Sequence, residues 1–400
     1  MDAEILVIGG GIAGASTAFH LSRLGHEVTL LERGEIASGA SGVNAGSIDS
    51  LGWGTAPNLH AHLTEGSREI FTSLQLDLGF DIELRHSGSL QAIHTEAQHA
   101  YADERVRRLR ARGYRLELLT TREARGLEPE LNPALSGVLY SPQRAQADPR
   151  KATGALVAAA ARSGARILTH HEVVDIRPRS PGGYVVVTPR DEIGAGTLVL
   201  AAGAWCARIG AMLGLCIPVV PVRGQMWATD ALPPRVFHTI SSAESASFWS
   251  SGSSPASDDP PELTHRGAVR LTRHLYGRQT RDGQIIFGGD RQVVGFDTTP
   301  EPAGIEVNRR HAAEVLPFLS QLRVNRTWAG LMPFSLDGQP LLGRIPNREN
   351  LYIVSGLASS GFGRGPMAGK LVADAIHAGG PSALLDAADP ARCVTEVAAR

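Results

Sequence analysis

The sequence has little of what would tie a chain to a membrane, a nucleic acid or a disulfide scaffold. Its 400 residues include only three cysteines, Cys206, Cys216 and Cys393, an odd and scattered set. That speaks against a disulfide framework or a thiolate metal cluster and fits reduced thiols in the cytoplasm. Lys and Arg number 39 against 40 Asp and Glu, a net charge of −1, so no basic surplus invites a nucleic-acid partner. No apolar run is long enough to span a bilayer. The first strand is expected within a few residues of Met1, with no signal-peptide pattern before it. Four hundred residues exceed what one hydrophobic core holds, so two lobes are expected.

Glycine, by contrast, is abundant at 45 residues, and it gathers at two strand-to-helix turns near opposite ends of the sequence. The first lies in "EILVIGGGIAGASTAFHLSRLGHEVTLLE", residues 4–32. "ILVI" and "VTLL" are continuous apolar runs suited to strands buried on both faces, and Ala18, Leu21 and Leu24 recur at helical spacing between them. Residues 58–79 and 96–113 read as helices. "DPRKATGALVAAAARSGARIL" reads as helix then strand, with Asp148 as N-cap and Pro149 at the first helical position. "TLVLAAGAW", residues 197–205, is a further buried strand. The middle of the sequence changes character. "PVVPVRGQMWAT", "AVRLTRHLYGRQ" and "GQIIFGGDRQV" are rich in β-branched and aromatic residues, and Asp282-Gly283 marks a hairpin between the last two. Residues 241–267, rich in serine and proline, are expected as a long insertion loop, a lid being the sharper alternative.

Gly9, Gly11 and Gly14 form G-x-G-x-x-G between a strand and a helix. Such glycines permit the tight turn, the approach of a pyrophosphate to bare backbone, and close packing of helix on strand. Glu32 ends the next strand, where a carboxylate takes a ribose diol and repels a 2′-phosphate. NAD and FAD remain. An NAD enzyme continues with regular βα units, whereas here "ASGASGVNAGS" follows, a run of small residues able to line a longer buried cofactor.

With these pieces, together with "LVLAAGAW", "PVRGQM", "WAGLMPFSLDGQPLLGR" and "SGLASSGFGRGPMAGKLVAD", the sequence resembles the flavoprotein family of D-amino-acid, glycine and sarcosine oxidases and the D-amino-acid and proline dehydrogenases. The resemblance implies an α/β chain with a discontinuous FAD-binding Rossmann-like domain (1–50, 148–215 and 328–385). It adds an α+β substrate domain on a mostly antiparallel sheet (51–147 and 216–327). It implies non-covalent FAD, since the positions near Val43 and Leu331 offer no residue able to bond the flavin. The residues expected against FAD are Gly9, Gly11, Ile12, Ala13, Gly14, Glu32, Arg33, Ser41, Asn44, Ala45, Gly46, Val174, Ala202, Gly203, Trp205, Gly330, Gly361, Phe362 and Gly363. The second glycine turn, Gly361 to Gly363, then sets a helix start against the ring system, where its free N–H groups stabilise developing charge.

No second nucleotide motif stands in a strand–turn–helix setting, so the electrons are expected from an organic reductant. The resemblance implies oxidation of the C–N bond of an amine or amino acid, with oxygen or another acceptor downstream. The alternatives are a larger amine metabolite in a biosynthetic pathway and an electron-relay subunit. In this family glycine and D-amino-acid oxidases anchor the substrate carboxylate with arginine in Ala-Gly-Leu-Arg-Pro. Here the segment reads "AGLMP", with Met332 in that place, and Ser359 stands where a further arginine is found. A thioether cannot replace a bidentate guanidinium. In this family the hairpin strand bearing "LYGRQ" faces the flavin, and alternation sets Tyr276 and Arg278 on one face of it; with Met332 as an apolar wall and with Arg364 they are the candidate substrate-contacting residues, with Arg273 and His274 behind them. No metal site is expected from His60, His62, His170 or His171, which lack ligand company at suitable spacing.

Overall fold

The structure, a computed structural model, describes residues 2–48, 57–180, 182–244, 265–266, 269–270, 275–380 and 382–397. Most of the 241–267 insertion, and both Arg273 and His274, lie outside the described residues. Of the insertion's first residues, 241 and 242 belong to the strand Thr239–Ser242.

Two eight-stranded sheets organise the fold. Beside a two-stranded antiparallel branch off Glu192–Leu200 (Tyr184–Val187, then Asp175–Pro178), the first runs in the order Leu341–Arg344, Leu351–Ser355, Glu192–Leu200, Asp2–Ile8, Val28–Leu31 and Arg166–Leu168. Its four inner pairings are parallel and the 341–344 edge is antiparallel. Strand period two distributes the apolar run as a doubly covered sheet demands. Ile5 and Val7 face one core with Leu30 and Val354, while Leu6 and Ile8 face the other with Leu31 and Ile353. The first core is closed by helices Ile12–Arg23, Pro57–Leu76, Pro149–Arg162 and Gly361–Ala378. Asp148 caps the third of these as its spacing predicts, its side chain accepting from Lys151 N–H at 2.8 Å. The expected helices over 58–79 and 96–113 end sooner, at Leu76 and Arg110.

The second sheet runs in the order Val324–Ser335, Val219–Ala231, Gln284–Gly288, Tyr276–Gln279, Thr239–Ser242, Ser89–Ile93, Gly137–Ser141 and Glu117–Leu119. Every pairing in it is antiparallel except that of Thr239–Ser242 with Ser89–Ile93. The Asp282-Gly283 hairpin joins Tyr276–Gln279 to Gln284–Gly288. Helix Pro302–Val315 covers this sheet, and Trp227 is buried under it with its indole N–H donating to Asn308 at 2.9 Å.

The first and last helices of the first lobe touch backbone to backbone. A β-carbon on Gly365 would meet Ile12 at 2.6 Å, and one on Gly369 would collide with Ala13 and Thr17. Ser16 Oγ donates to the Pro366 carbonyl at 2.5 Å. Small residues at this crossing let two helix N-termini, one from each glycine turn, open on the same space.

Candidate active site

That space is a cavity of about 630 Å³ walled by both sheets. One part is mostly main chain. Gly9, Gly11, Ile12 and Ala13 line it from the first turn, Gly361, Phe362 and Gly363 from the last, and Ser41 and Asn44 from the small-residue segment. Gly9 holds φ +119, and a β-carbon there would strike the Ala201 carbonyl. Neither long helix is capped by its own N-cap side chain, at Gly11 or Ser360. The residues that open both helices line the cavity, and of their N–H groups that of Ile12 is accepted by Ser41 Oγ at 2.9 Å. Glu32 is fixed by accepting the N–H groups of Gly10 and Gly34, each at 2.8 Å. Arg33 lies 3.8 Å over the Trp205 ring, beside Ala202, Gly203 and the half-exposed Val174.

Uncapped helix starts, a backbone bared by glycine, and a carboxylate at the strand end suit a dinucleotide, and the small residues beyond suit a ring system longer than nicotinamide. The donor set fits FAD. Gly14, Ala45 and Gly46, expected against the cofactor, do not line the cavity. Gly14 packs helix on strand, where a β-carbon would strike the Gly9 carbonyl. Ala45 and Gly46 lie behind the wall, Gly46 N–H donating to Asn44 Oδ1 at 2.7 Å. Gly330 lines the cavity against Val43, whose carbonyl accepts from Trp328 Nε1 at 2.8 Å.

The other part of the cavity is built of side chains. Tyr276 and Met332 line it, as do Gln91, Arg105, Gln225, Thr239, Ser241, Asp290 and Arg291. Burial pushes the Tyr276 phenol up to about 12, with Asp290 adding to the rise and the Ala45 backbone and Arg291 opposing it. At neutral pH Tyr276 is thus a hydrogen-bond donor and not a base.

Two expected anchors are elsewhere. Arg278 shares the strand face of Tyr276, but two residues further along, the strand has passed beneath Ala45. The Arg278 guanidinium, 1% exposed, donates to the carbonyls of Ala45 and, at 3.2 Å, Ala147. Arg364 turns from the last helix toward helix Pro57–Leu76, donating to Thr64 Oγ1 at 3.3 Å and meeting His60 Nδ1 at 2.8 Å. Both are structural cations. Arg291 was not anticipated. Its only sequence signal was "GDRQ", charge arriving directly after the glycines that end a buried strand. Among the described residues no group of three His, Cys, Asp or Glu could hold a metal ion.

A parallel nucleotide-type sheet coupled to an antiparallel one over a shared cavity defines a two-lobed flavin oxidoreductase. The profile described as "FAD dependent oxidoreductase" matches residues 4–375, and the chain belongs to that family. It is 31% identical to the glycine oxidase of Geobacillus kaustophilus over 382 residues, 94% of this chain and 93% of the relative. The crystal structure of glycine oxidase from that organism superposes with a TM-score of 0.83 at 27% identity, covering 97% and 98% of the two chains. L-proline dehydrogenase from P. horikoshii does so with a TM-score of 0.83 at 26% identity, covering 98% and 97%. The chain is an FAD-dependent enzyme that oxidises the C–N bond of amino acids or amines. Among the described residues no helix is long and apolar enough to cross a membrane.

Proposed function

We propose that the chain dehydrogenates the carbon bearing a neutral amine of a small substrate, giving an imine that water hydrolyses, with oxygen as the acceptor. Non-covalently bound FAD supplies hydride acceptance. The lobe formed by residues 1–50, 148–215 and 328–385 holds it, through Gly9, Gly11, Ile12, Ala13, Glu32, Arg33, Ser41, Asn44 and Trp205 toward the first turn and Gly330, Gly361, Phe362 and Gly363 toward the last. The N–H groups that open helix Gly361–Ala378 stabilise negative charge developing beside them. Tyr276 donates a hydrogen bond to the substrate, and Met332 gives it an apolar wall. No acid–base residue is required, because orientation and charge placement dominate such a transfer. The observation that carries this reading is the convergence of both glycine turns with Tyr276 and Met332 on one cavity. Glycine oxidase among the relatives supports oxygen as acceptor. Three free cysteines support a reducing, cytoplasmic setting.

The test is anaerobic mixing of the yellow protein with glycine, D- and L-amino acids, N-alkyl amino acids and plain amines, followed by readmission of air. Bleaching by at least one, and recolouring by oxygen, is expected. A flavin that none of them bleaches sinks the reading. A second reading, a larger amine metabolite, is supported by the side of the cavity formed by Gln91, Thr239 and Ser241, which adds polar room beyond Tyr276. It predicts that bleaching accelerates as the amine's substituent grows.

A further inference from the structure

We propose that Arg291 holds the anionic group of the substrate, which makes the enzyme selective for amino acids over plain amines. The inference rests on the function proposed above and names its specificity-determining residue.

Five cationic side chains line the cavity among the described residues: Arg33, Arg105, Arg144, Arg208 and Arg291. Arg33 and Arg208 are exposed and stacked, over Trp205 at 3.8 Å and over Phe296 at 3.6 Å. Arg105 and Arg144 line the cavity from helix Glu96–Arg110 and from the loop after strand Gly137–Ser141, which stands toward the other end of the strand order from the strand that carries Met332. Arg291 alone combines near-complete burial, at 1% exposure, with a place beside the second glycine turn. Its Nη2 donates to Ser359 Oγ at 3.1 Å, and its guanidinium lies 5.5 Å from the Phe334 ring. Both it and Met332 line the cavity, and the residue before it approaches Met332 across Gly224, where a β-carbon would lie 3.0 Å from Met332 Cε and 3.5 Å from the carbonyl of Asp290. Of the two positions where this sequence departs from an arginine anchor, Ser359 thus touches a guanidinium delivered by the loop after strand Gln284–Gly288, and Met332 lies near the backbone of that loop.

The side chain is held in place by its neighbours. Asp290, just before it, accepts the Gln225 backbone N–H at 2.8 Å and its side-chain amide. Gln292, just after it, exchanges backbone hydrogen bonds with Arg223 at 2.8 and 2.9 Å. A loop pinned on both sides aims its middle residue at little further entropic cost. Burial draws the Arg291 guanidinium down to about 10, so the protein bears a desolvation penalty for it. A carboxylate bound to the planar fork offsets that penalty, and Ser359, an acceptor, orients the fork. Met332 then serves as an apolar wall of the same cavity.

The test uses the holoenzyme with two probes of one shape, the charged benzoate and the uncharged benzamide, followed by their perturbation of the flavin absorbance. Wild type is expected to bind benzoate and to hold benzamide about 100-fold more weakly, the scale of a charge-assisted pair. Arg291→Met is expected to lose benzoate by a similar factor and leave benzamide unmoved, while Arg105→Met and Arg144→Met retain benzoate. Should Arg291→Met fail to retain flavin, Arg291→Lys replaces it, and it is expected to weaken benzoate because an ammonium lacks the fork. Equal affinity of wild type for both probes overturns the proposal. So does benzoate binding that survives in Arg291→Met, or benzoate binding that follows Arg105 or Arg144. If no amine bleaches the flavin yet benzoate still depends on Arg291, the proposed function falls and the anchor stands.

Discussion

The two sides of the cavity are made of different material. Toward the cofactor the wall is main chain, presented by glycines within two short segments and by helix starts that neither N-cap side chain covers. Toward the substrate it is side chains drawn from strands Ser89–Ile93, Val219–Ala231, Thr239–Ser242, Tyr276–Gln279 and Val324–Ser335 and from the loop at residues 289–291. Backbone recognition tolerates almost no change at its few bare positions, because any β-carbon occupies the space a ligand needs. Side-chain recognition can move its charge from one strand to another while the cavity keeps its shape. A family can therefore keep one cofactor while changing what it oxidises.

The contrast can be broken most forcefully at Gly9. Gly9→Val sets a branched side chain at φ +119 against the Ala201 carbonyl, and the protein is expected to purify colourless. A yellow Gly9→Val protein would show that the backbone wall is not restrictive. Next comes Arg278→Leu, which leaves the carbonyls of Ala45 and Ala147 buried without their donor. About 2–5 kcal/mol of stability is expected to go, read by urea unfolding, with substrate preference kept among molecules that still fold. A change of preference without loss of stability would return Arg278 to the substrate side. Acid probes the scaffold behind the cofactor wall. Burial holds His20 and His60 neutral down to about 4, against an ordinary 6.5, with Lys370 adding to the effect at the first and Arg364 at the second. The unfolded chain then binds more protons between these values, so stability falls as pH drops from 6.5 toward 4. The melting temperature should decline across that window, less so in His60→Asn, and a flat profile would contradict the burial of these rings. The smallest effect is expected at Arg33→Ala, where an exposed stack on Trp205 contributes about 0.5–1 kcal/mol. Flavin retention on dilution should weaken only a few-fold, and a colourless protein would make Arg33 a principal contact.

Legibility in the sequence follows the same division. The first turn, Glu32 and the turn at Gly361 were readable because each lies within one strand–turn–helix segment, where composition and spacing carry the geometry. The Asp282-Gly283 hairpin was readable for the same reason. Tyr276 and Arg278 were expected together, from a family resemblance that supplied the strand and an alternation that set both on one face; alternation does not fix how far along that face the cavity extends, and the cavity ends before Arg278. Arg364 misled because three glycine-turn neighbours face the cavity while helical rotation carries residue 364 toward His60. Arg291 was missed because its meaning depends on pairing register: the bridge of Gln292 to Arg223 and the approach of Gly224 to both Met332 and Asp290 bring its loop to the cavity that residue 332 lines. Such register is a property of distant segments meeting, and no local pattern encodes it.

The crossing at Gly365 and Gly369 has a consequence for synthesis. Ser16 and Pro366, which hydrogen-bond there, are 350 residues apart, so on the ribosome the first helix waits through the synthesis of that whole stretch before its partner emerges. The nucleotide lobe consequently matures only after the segment around residue 366 has emerged, and flavin capture is in effect a sign that this crossing has closed. Nascent chains stalled after residue 350 should acquire no flavin fluorescence quenching, and early capture by such chains would show that the first turn suffices alone.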